Sequence, residues 1–206
     1  MDKTHQVKKI FFVFGALVLI FVILEVLLIL FEPILSKNFY QYDPTLGFRV
    51  RSYTQGSNKF GFNDRDYPLT KDPNSYRILI ISDSFNWANG KESNYVKILE
   101  KKFEDLYGSH RVDIINAGYP STQTDTQLAL LKKFGLRYQP DMVILGFFTG
   151  NDFIDADPDK KTIALYGILT PINKQKTGTL FGRAFVLKSR IWLILNYHLQ
   201  QQINCP

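Results

Sequence analysis

The sequence contains very little cysteine and histidine. One Cys and three His among 206 residues exclude a disulfide framework within the chain and a cysteine-based zinc site. The nucleotide-binding patterns G-x-x-x-x-G-K-[ST] and G-x-G-x-x-G are absent, and so is the H-E-x-x-H pattern of zinc hydrolases. The sequence therefore predicts neither a cofactor nor a metal site.

Clustered positive charge is also missing. The net charge of +6 comes from 25 basic and 19 acidic residues that are scattered along the chain. No stripe of Lys and Arg with interleaved aromatics is present, although such a stripe is typical of nucleic-acid-binding surfaces. Hydrophobic residues make up 45% of the chain, which is ordinary for a globular protein. We therefore expect a folded protein without a nucleic-acid partner.

One long apolar run lies near the N-terminus. Residues 10–31 contain a single ionisable group, Glu25. A helix rises about 1.5 Å per residue, so this run spans a hydrocarbon core of about 30 Å. No small-x-small cleavage site of a signal peptide follows it, which predicts an uncleaved transmembrane helix. One interpretation of Glu25 is a functional acid that meets a partner helix. The other, which we favour, is an acid without such a partner that is protonated or reaches toward the interface.

The charges that flank the run predict its orientation. Lys3, Lys8 and Lys9 precede it, whereas Glu32 and a lone Lys37 follow it. By the positive-inside rule, the N-terminus is cytoplasmic and the main domain is extracytoplasmic. The sequence thus predicts a single-pass membrane protein.

Four regions follow from this placement of the anchor. They are a cytoplasmic stretch at 1–9, the transmembrane helix at 10–31, a juxtamembrane segment at 32–75 and a partial hydrolase-like domain at 76–206. The juxtamembrane segment is rich in turn signals and has no helical period. We expect it to form short extended pieces that pack on the edge of the following domain through Tyr and Phe side chains.

Strands alternate with helices in the first part of the domain. Buried apolar runs predict strands and apolar residues at helical spacing predict helices, in the order strand 77–81, helix 92–107, strand 111–116, helix 122–138 and strand 141–147. This alternation implies right-handed crossovers and a parallel sheet covered by helices. Active sites of such sheets lie beyond the carboxyl ends of the strands.

The loops after these three strands carry polar residues and a glycine. Each has an ordinary explanation: Asp83 and Ser84 can cap a helix, Gly118 can supply a positive φ, and Asn151 with Asp152 can form a side-chain turn. Together they can form an acyl-transfer site. Ser84 is the candidate nucleophile, and its own N–H, the Gly118 N–H and the Asn151 side-chain amide are candidate oxyanion donors.

Over residues 76–155 the chain resembles the SGNH, or GDSL-type, hydrolase family. Ser82-Asp83-Ser84-Phe85 stands where the family has Gly-Asp-Ser-Phe, and Asn116-Ala117-Gly118 matches its second, glycine-centred block. Gly150-Asn151-Asp152 matches its third block, and residues 60–68 resemble the region that precedes the first block in anchored members.

The resemblance implies a flavodoxin-like three-layer α/β/α fold whose first strand lies between the other two. It also implies Ser84 as the catalytic nucleophile, an oxyanion hole from Ser84, Gly118 and Asn151, and Asp83 and Asp152 as supporting residues. Members hydrolyse or transfer acyl esters. Membrane-anchored bacterial relatives often act outside the cytoplasm on carbohydrate or envelope acyl groups, so hydrolysis and O-acyl transfer both remain open.

The family's fourth block, Asp-x-x-His, has no counterpart in this sequence. His5 belongs to the cytoplasmic end of the anchor and His110 precedes the second strand, away from the catalytic loops. His198 has Leu195 where the block requires Asp. No clear strand followed by a helix comes after Phe153. We therefore expect an incomplete domain that hydrolyses esters slowly or not at all, which leaves a catalytically silent remnant or binding module as the third alternative.

Overall fold

The computed structural model describes residues 3–35, 39–149, 160–173, 177–180, 183–186 and 189–203. The chain divides into two compact units, of which the first comprises residues 1–37 and 186–206 and the second comprises residues 38–185. The elements in chain order are α1 (Lys3–Leu35), β1 (Tyr40–Asp43), β2 (Gly47–Val50), β3 (Tyr76–Ile81), α2 (Tyr95–Tyr107), β4 (Val112–Asn116), α3 (Thr124–Lys133), β5 (Met142–Leu145), β6 (Lys160–Leu165), β7 (Ile168–Asn173), β8 (Thr177–Leu180), β9 (Arg183–Val186) and α4 (Arg190–Ile203), with 3₁₀ turns at Ser84–Trp87 and Gly135–Tyr138.

The first unit contains a single uninterrupted helix at the N-terminus. Within α1, the stretch from His5 to Phe31 is long and apolar enough to cross a membrane. Nearly all of its large apolar side chains are exposed, as is required of a surface that faces lipid. The helix thus has the length and composition that the sequence predicted.

The second unit is a mixed α/β structure built around a parallel three-stranded sheet. The strand order is β4-β3-β5, so the first strand lies between the other two, as predicted. Ile78 of β3 pairs with Ile114 of β4 on one side and with Met142 of β5 on the other. Both pairings are parallel, which places the three strand ends and their loops at one edge of the sheet.

Helix α2 covers one face of this sheet. Ile78, Ile80 and Ile114 point to this face and pack against Val96, with other apolar residues around them. The Asn94 side chain begins the helix by accepting the Lys97 N–H at 3.0 Å. The amphipathic spacing that predicted the helix therefore corresponds to the face that it buries.

The opposite face is covered by α3 and by the juxtamembrane segment. Leu79 and Ile81 pack there within a core that also includes aromatic side chains of the segment, namely Phe60, Phe62 and Tyr67. Phe62 is fully buried and stacks edge-on against Tyr119. Burial of each such side chain contributes about 1.5–3 kcal/mol. The segment therefore fills the core rather than lining its edge.

Strand β5 is the exposed strand of the sheet. Its side chains Met142–Leu145 are 39% to 48% exposed, although strands of parallel sheets are ordinarily buried on both faces. Among the described strands, β5 pairs only with β3. Within the described residues, β5 is therefore an apolar strand with an open side.

Hairpins complete the described part of the second unit. β1 and β2 are antiparallel, and the Asp43 carboxylate accepts the N–H groups of Thr45 and Leu46 in the turn between them. β6 and β7 are also antiparallel and are joined by Tyr166-Gly167, both with positive φ. Such two-residue turns match the twist of a hairpin. β8 pairs with β9.

A buried ion cluster joins the juxtamembrane segment to α2. The Lys97 ammonium lies 2.6 Å from the Asp64 carboxylate and 2.6 Å from the Glu100 carboxylate, and all three side chains are at least nine-tenths buried. The Tyr67 hydroxyl donates to Glu100 at 2.7 Å, and the Arg65 guanidinium lies 3.0 Å from the same carboxylate. One ammonium therefore holds two buried carboxylates.

The two carboxyl groups of this cluster differ in acidity. Burial raises the pKa of Asp64 to about 6, against the lowering effect of the charge and hydrogen bond of Lys97. Burial acts in the same direction on Glu100, but there the hydrogen bonds and charges of Lys97, Tyr67 and Arg65 outweigh it and hold the pKa below its usual range. The Lys97 ammonium thus opposes the effect of burial on both carboxyl groups.

Candidate active site

Ser84 lies at the turn where the central strand ends. β3 ends at Ile81, and the chain then enters the 3₁₀ turn Ser84–Trp87. The buried Asp83 carboxylate accepts the Phe85 N–H at 2.9 Å, so Asp83 does cap this turn. Ser84 itself is exposed, and its hydroxyl makes no hydrogen bond to the described part of the chain. The side chain is therefore accessible at the carboxyl end of the sheet.

Ser82, directly after the central strand, is accommodated by a glycine on the neighbouring strand end. The Ser82 hydroxyl is buried and donates to the Gly146 carbonyl at 2.8 Å. A Cβ at position 146 would lie 2.8 Å from that hydroxyl oxygen. The two loops after β3 and β5 are thus held together by this pair.

Gly118 is required for close packing and not for an unusual backbone conformation. It is not among the residues with positive φ, so that explanation was wrong. A Cβ at position 118 would lie 2.2 Å from the Cβ of Asn86, which belongs to the 3₁₀ turn of Ser84. The Trp87 indole N–H also donates to the Gly118 carbonyl at 2.9 Å. The Gly118 loop and the Ser84 turn are therefore in direct contact.

Replacement of Gly118 by alanine tests this close packing. We expect Gly118→Ala to lower the free energy of unfolding by about 1–3 kcal/mol, because the added methyl group overlaps a buried Cβ. Urea unfolding followed by circular dichroism measures the change. In an Asn86→Gly background the overlapping atoms are gone, so the same substitution should cost almost nothing. If Gly118→Ala lowered the free energy of unfolding equally in both backgrounds, overlap with the Asn86 side chain would not be its cause.

The Gly118 N–H, which the sequence nominated as an oxyanion donor, has an internal partner. It donates to the side-chain oxygen of Asn116 at 3.2 Å. The neighbouring N–H groups of Ala117 and Tyr119 donate to the carbonyls of Ile80 and Ser82. A substrate oxyanion would therefore compete with the Asn116 amide for this donor.

Asn116 is the centre of a buried hydrogen-bond network below the Ser84 turn. Its amide nitrogen donates to the Asn86 carbonyl at 2.7 Å and to the Asn63 carbonyl at 3.2 Å. Its backbone N–H donates to the Asp64 carboxylate at 2.7 Å. The network joins β4, the juxtamembrane segment and the 3₁₀ turn, so it sets the position of the candidate nucleophile.

Sequence reasoning did not assign a role to these asparagines. Asn116 stood within the second family block, and Asn63 stood in the segment that resembles anchored members. Asn86 follows Ser84 by two residues, and its side chain accepts the Tyr95 hydroxyl at 2.7 Å. The sequence shows only that Asn116 and Asn86 lie near strand ends. The burial of all three asparagines, which makes their hydrogen bonds important, cannot be predicted from the sequence of a loop.

Two of the predicted site residues cannot be placed. Asn151 and Asp152 lie outside the described residues, as does Gly150. The structure therefore brings together the Ser84 turn and the Gly118 loop, which follow neighbouring strands. The third predicted donor stays a prediction.

A cleft of about 410 Å³ opens beside Ser84. One side is formed by Asp83 and Ser84, and the other walls come from the start of α3 and from the β6–β7 hairpin, through Ser121, Thr122, Gln123, Thr162, Leu169 and Pro171. No histidine is among these described lining residues. His110 lines a separate cleft with Arg77 and Asp113, beside the N-terminal ends of the strands. His198 belongs to α4, in the other unit.

Comparisons of the chain with protein-family models, with curated proteins and with solved structures give no match. Within the described residues, no group of three His, Cys, Asp or Glu side chains is arranged to hold a metal ion. The assignment of a function therefore depends on the geometry of the Ser84 region and on the motifs themselves.

Proposed function

We propose that the second unit carries an acyl-ester site of the SGNH type on a flavodoxin-like three-layer fold, with Ser84 as the nucleophile. The observation that carries the proposal is the position of Ser84. Its exposed hydroxyl lies at the carboxyl end of the central parallel strand, on a turn that packs directly against the Gly118 loop. Ligands of parallel sheets bind at such strand ends.

The chemistry begins with attack of the Ser84 Oγ on the acyl carbonyl, while a base takes the hydroxyl proton. The resulting oxyanion needs donors, and the Ser84 N–H, the Gly118 N–H and the Asn151 amide fill that role in this proposal. Before Gly118 can donate, its bond to the Asn116 oxygen must lengthen or be shared. Collapse of the intermediate expels the alcohol and leaves an acyl-serine.

The lining of the cleft supports an acylated carbohydrate as the substrate class. Ser121, Thr122, Gln123 and Thr162 offer donors and acceptors for sugar hydroxyls, whereas Leu169 and Pro171 form an apolar wall for an acyl group. Water or a sugar hydroxyl can then attack the acyl-serine, so esterase and O-acyltransferase chemistry share this site.

The apolar helix α1 supports a location of this chemistry at a cell envelope. We propose that α1 crosses the membrane with Lys3, Lys8 and Lys9 on the cytoplasmic side, which leaves the Ser84 unit outside the cytoplasm. Envelope-derived acyl groups are then the accessible substrates. The size and apolar composition of α1 support this arrangement.

A catalytically silent role is the second candidate, and one observation favours it. No histidine is among the described residues that line the Ser84 cleft, and the Gly118 N–H already has a partner. In a well-studied protease, enzymes that lack members of the serine–histidine–acid unit retain only about 10³–10⁴-fold catalysis over water. We therefore expect the purified chain to turn over p-nitrophenyl acetate slowly at neutral pH.

Acetylation of Ser84 under alkaline conditions separates the two candidates. Above neutral pH hydroxide can take the serine proton, so p-nitrophenyl acetate should acetylate Ser84 faster than Ser121. Ser121 is an internal reference, because it is also exposed and lines the same cleft, and it differs from Ser84 in its hydrogen bond to the Tyr40 side chain. Peptide mass spectrometry over time measures both rates. Equal rates would refute the acyl-ester proposal and leave the silent role, and a Ser84→Ala variant would verify the assignment of the peptide.

A further inference from the structure

Helix α4 begins at an acidic side chain of the predicted transmembrane helix. The Ser189 hydroxyl donates to the Glu25 carboxylate, and the N–H groups of Arg190 and Ile191 donate to the same carboxylate at 2.8 Å and 3.2 Å. Arg190 also interacts electrostatically with Glu25. The acid that we expected to be protonated or to reach the interface is instead bonded to a second helix of the same unit.

These contacts satisfy three free N–H groups at the start of α4. The first four N–H groups of a helix have no partner within the regular helix pattern. Here those of Arg190 and Ile191 donate to Glu25, and the Trp192 N–H donates to the Ser189 hydroxyl oxygen at 3.1 Å. A helix end in hydrocarbon must have such partners, because unpaired backbone groups cost several kcal/mol there.

The position of Glu25 sets the depth at which α4 begins. Glu25 is six residues before Phe31, where the apolar run ends, and six residues of helix rise about 9 Å. The first turn of α4 is therefore bonded to a point well inside the apolar run. The adjoining surface of α1 is exposed and apolar.

Helix α4 also has an exposed apolar face. Trp192, Leu195 and Leu199 recur at helical spacing and are each more than half exposed. Exposed apolar side chains of this size are costly in water, and their alignment on one face is typical of helices that lie in a membrane interface. The Glu25 contact joins the start of the helix that carries this face to α1.

We propose that α4 is a second membrane element, docked on α1 through Glu25 and covered by lipid along its Trp192–Leu195–Leu199 face. The partner of this face is the hydrocarbon and headgroup boundary of the bilayer leaflet nearest to Glu25. The inference uses the membrane-spanning role of α1 from the proposed function but does not require any activity at Ser84.

Quenching of tryptophan fluorescence by brominated lipid tests the proposal. The chain has two tryptophans, so the full-length Trp87→Phe variant leaves Trp192 as the sole reporter. In phosphatidylcholine vesicles with bromine on the upper part of the acyl chain, we expect blue-shifted and quenched emission. Glu25→Ala in the same background should remove the quenching, whereas Glu32→Ala, which removes another acid of α1, should leave it unchanged.

The outcomes are separable from those of the proposed function. Flotation of the vesicles after carbonate washing shows whether α1 is integrated, and alanine at position 25 does not oppose insertion of an apolar helix. Absence of quenching in floated vesicles would overturn the lipid contact of α4, and quenching that survives Glu25→Ala would overturn the docking. A chain that does not float would refute both the anchor and this inference, while the Ser84 acetylation test would still stand.

Discussion

Lys97→Met is expected to lower the free energy of unfolding by about 3–5 kcal/mol, because it leaves two buried carboxylates without their common cation. The Asp64 side chain is fully buried and that of Glu100 is 6% exposed. Methionine has a similar length and no charge, so the loss is mainly electrostatic. Chemical unfolding of the detergent-solubilised chain measures the change, and Lys101→Met on the exposed side of the same helix is the matched control.

The effect of Lys97→Met should also depend on pH. Removal of the ammonium raises the folded-state pKa of Asp64 further above its unfolded value, and it removes the main cause that lowers the pKa of Glu100. A raised pKa stabilises the fold below the unfolded pKa, and this contribution is lost as the pH rises through the folded pKa. A lowered pKa stabilises the fold above the unfolded pKa, and the variant loses this contribution of Glu100. The difference from the wild type should therefore be largest at neutral pH and should shrink toward pH ~4. A deficit that is independent of pH would indicate lost packing instead.

Asn116→Ala is expected to be the second most destabilising change, with a cost of about 3 kcal/mol or more. The substitution removes the partners of the Asn86 carbonyl and of the Gly118 N–H, and each orphaned buried group costs about 1–3 kcal/mol. The Asn63 carbonyl loses the shorter of its two hydrogen bonds and keeps the one from the Asn94 amide. Because the network supports the Ser84 turn, the preference for acetylation of Ser84 over Ser121 should fall as well.

Two further variants isolate the contribution of these hydrogen bonds. Asn116→Asp keeps the shape of the side chain but sets a carboxylate oxygen against two carbonyls, so it should be at least as damaging as alanine. Asn74→Ala removes an exposed asparagine and should have little effect. If aspartate at position 116 were tolerated, the network would not control stability, and the cost of alanine would come from the cavity.

The central sheet was predictable because its signals are local. β-branched apolar runs gave the three strands, and apolar residues at helical spacing gave α2 to within three residues. The helix predicted at 122–138 is instead α3, which ends at Lys133, followed by the 3₁₀ turn Gly135–Tyr138. The burial of Phe60 and Phe62 was less accessible, since aromatics between turn residues have no period that assigns them to a face. The β6–β7 hairpin turns at Tyr166-Gly167. In the sequence, Gly167 is the only signal of this turn, because Tyr166 is not a typical turn residue.

The sequence predicted where the candidate site lies, but it did not predict the contacts that hold its loops in place. Ser84 follows a strand, and strand ends are where parallel sheets place their chemistry. The need for glycine at position 118 arises from the Cβ of Asn86, which sequence spacing does not reveal. The contact of Glu25 with Ser189 joins residues 164 positions apart, and no local pattern could have indicated it.

The strand order β4-β3-β5 also has a consequence for the time course of folding. Every partner in the Lys97 cluster and in the Asn116 network lies before residue 119, so this half of the core can close as soon as that much chain is available. Strand β5 pairs across 64 residues, with Ile78 opposite Met142, and it has little burial to gain. Loop closure over such separations is slow relative to local contacts. We expect β5 to join last and, in the finished protein, its amide protons to exchange with solvent sooner than those of β3 and β4.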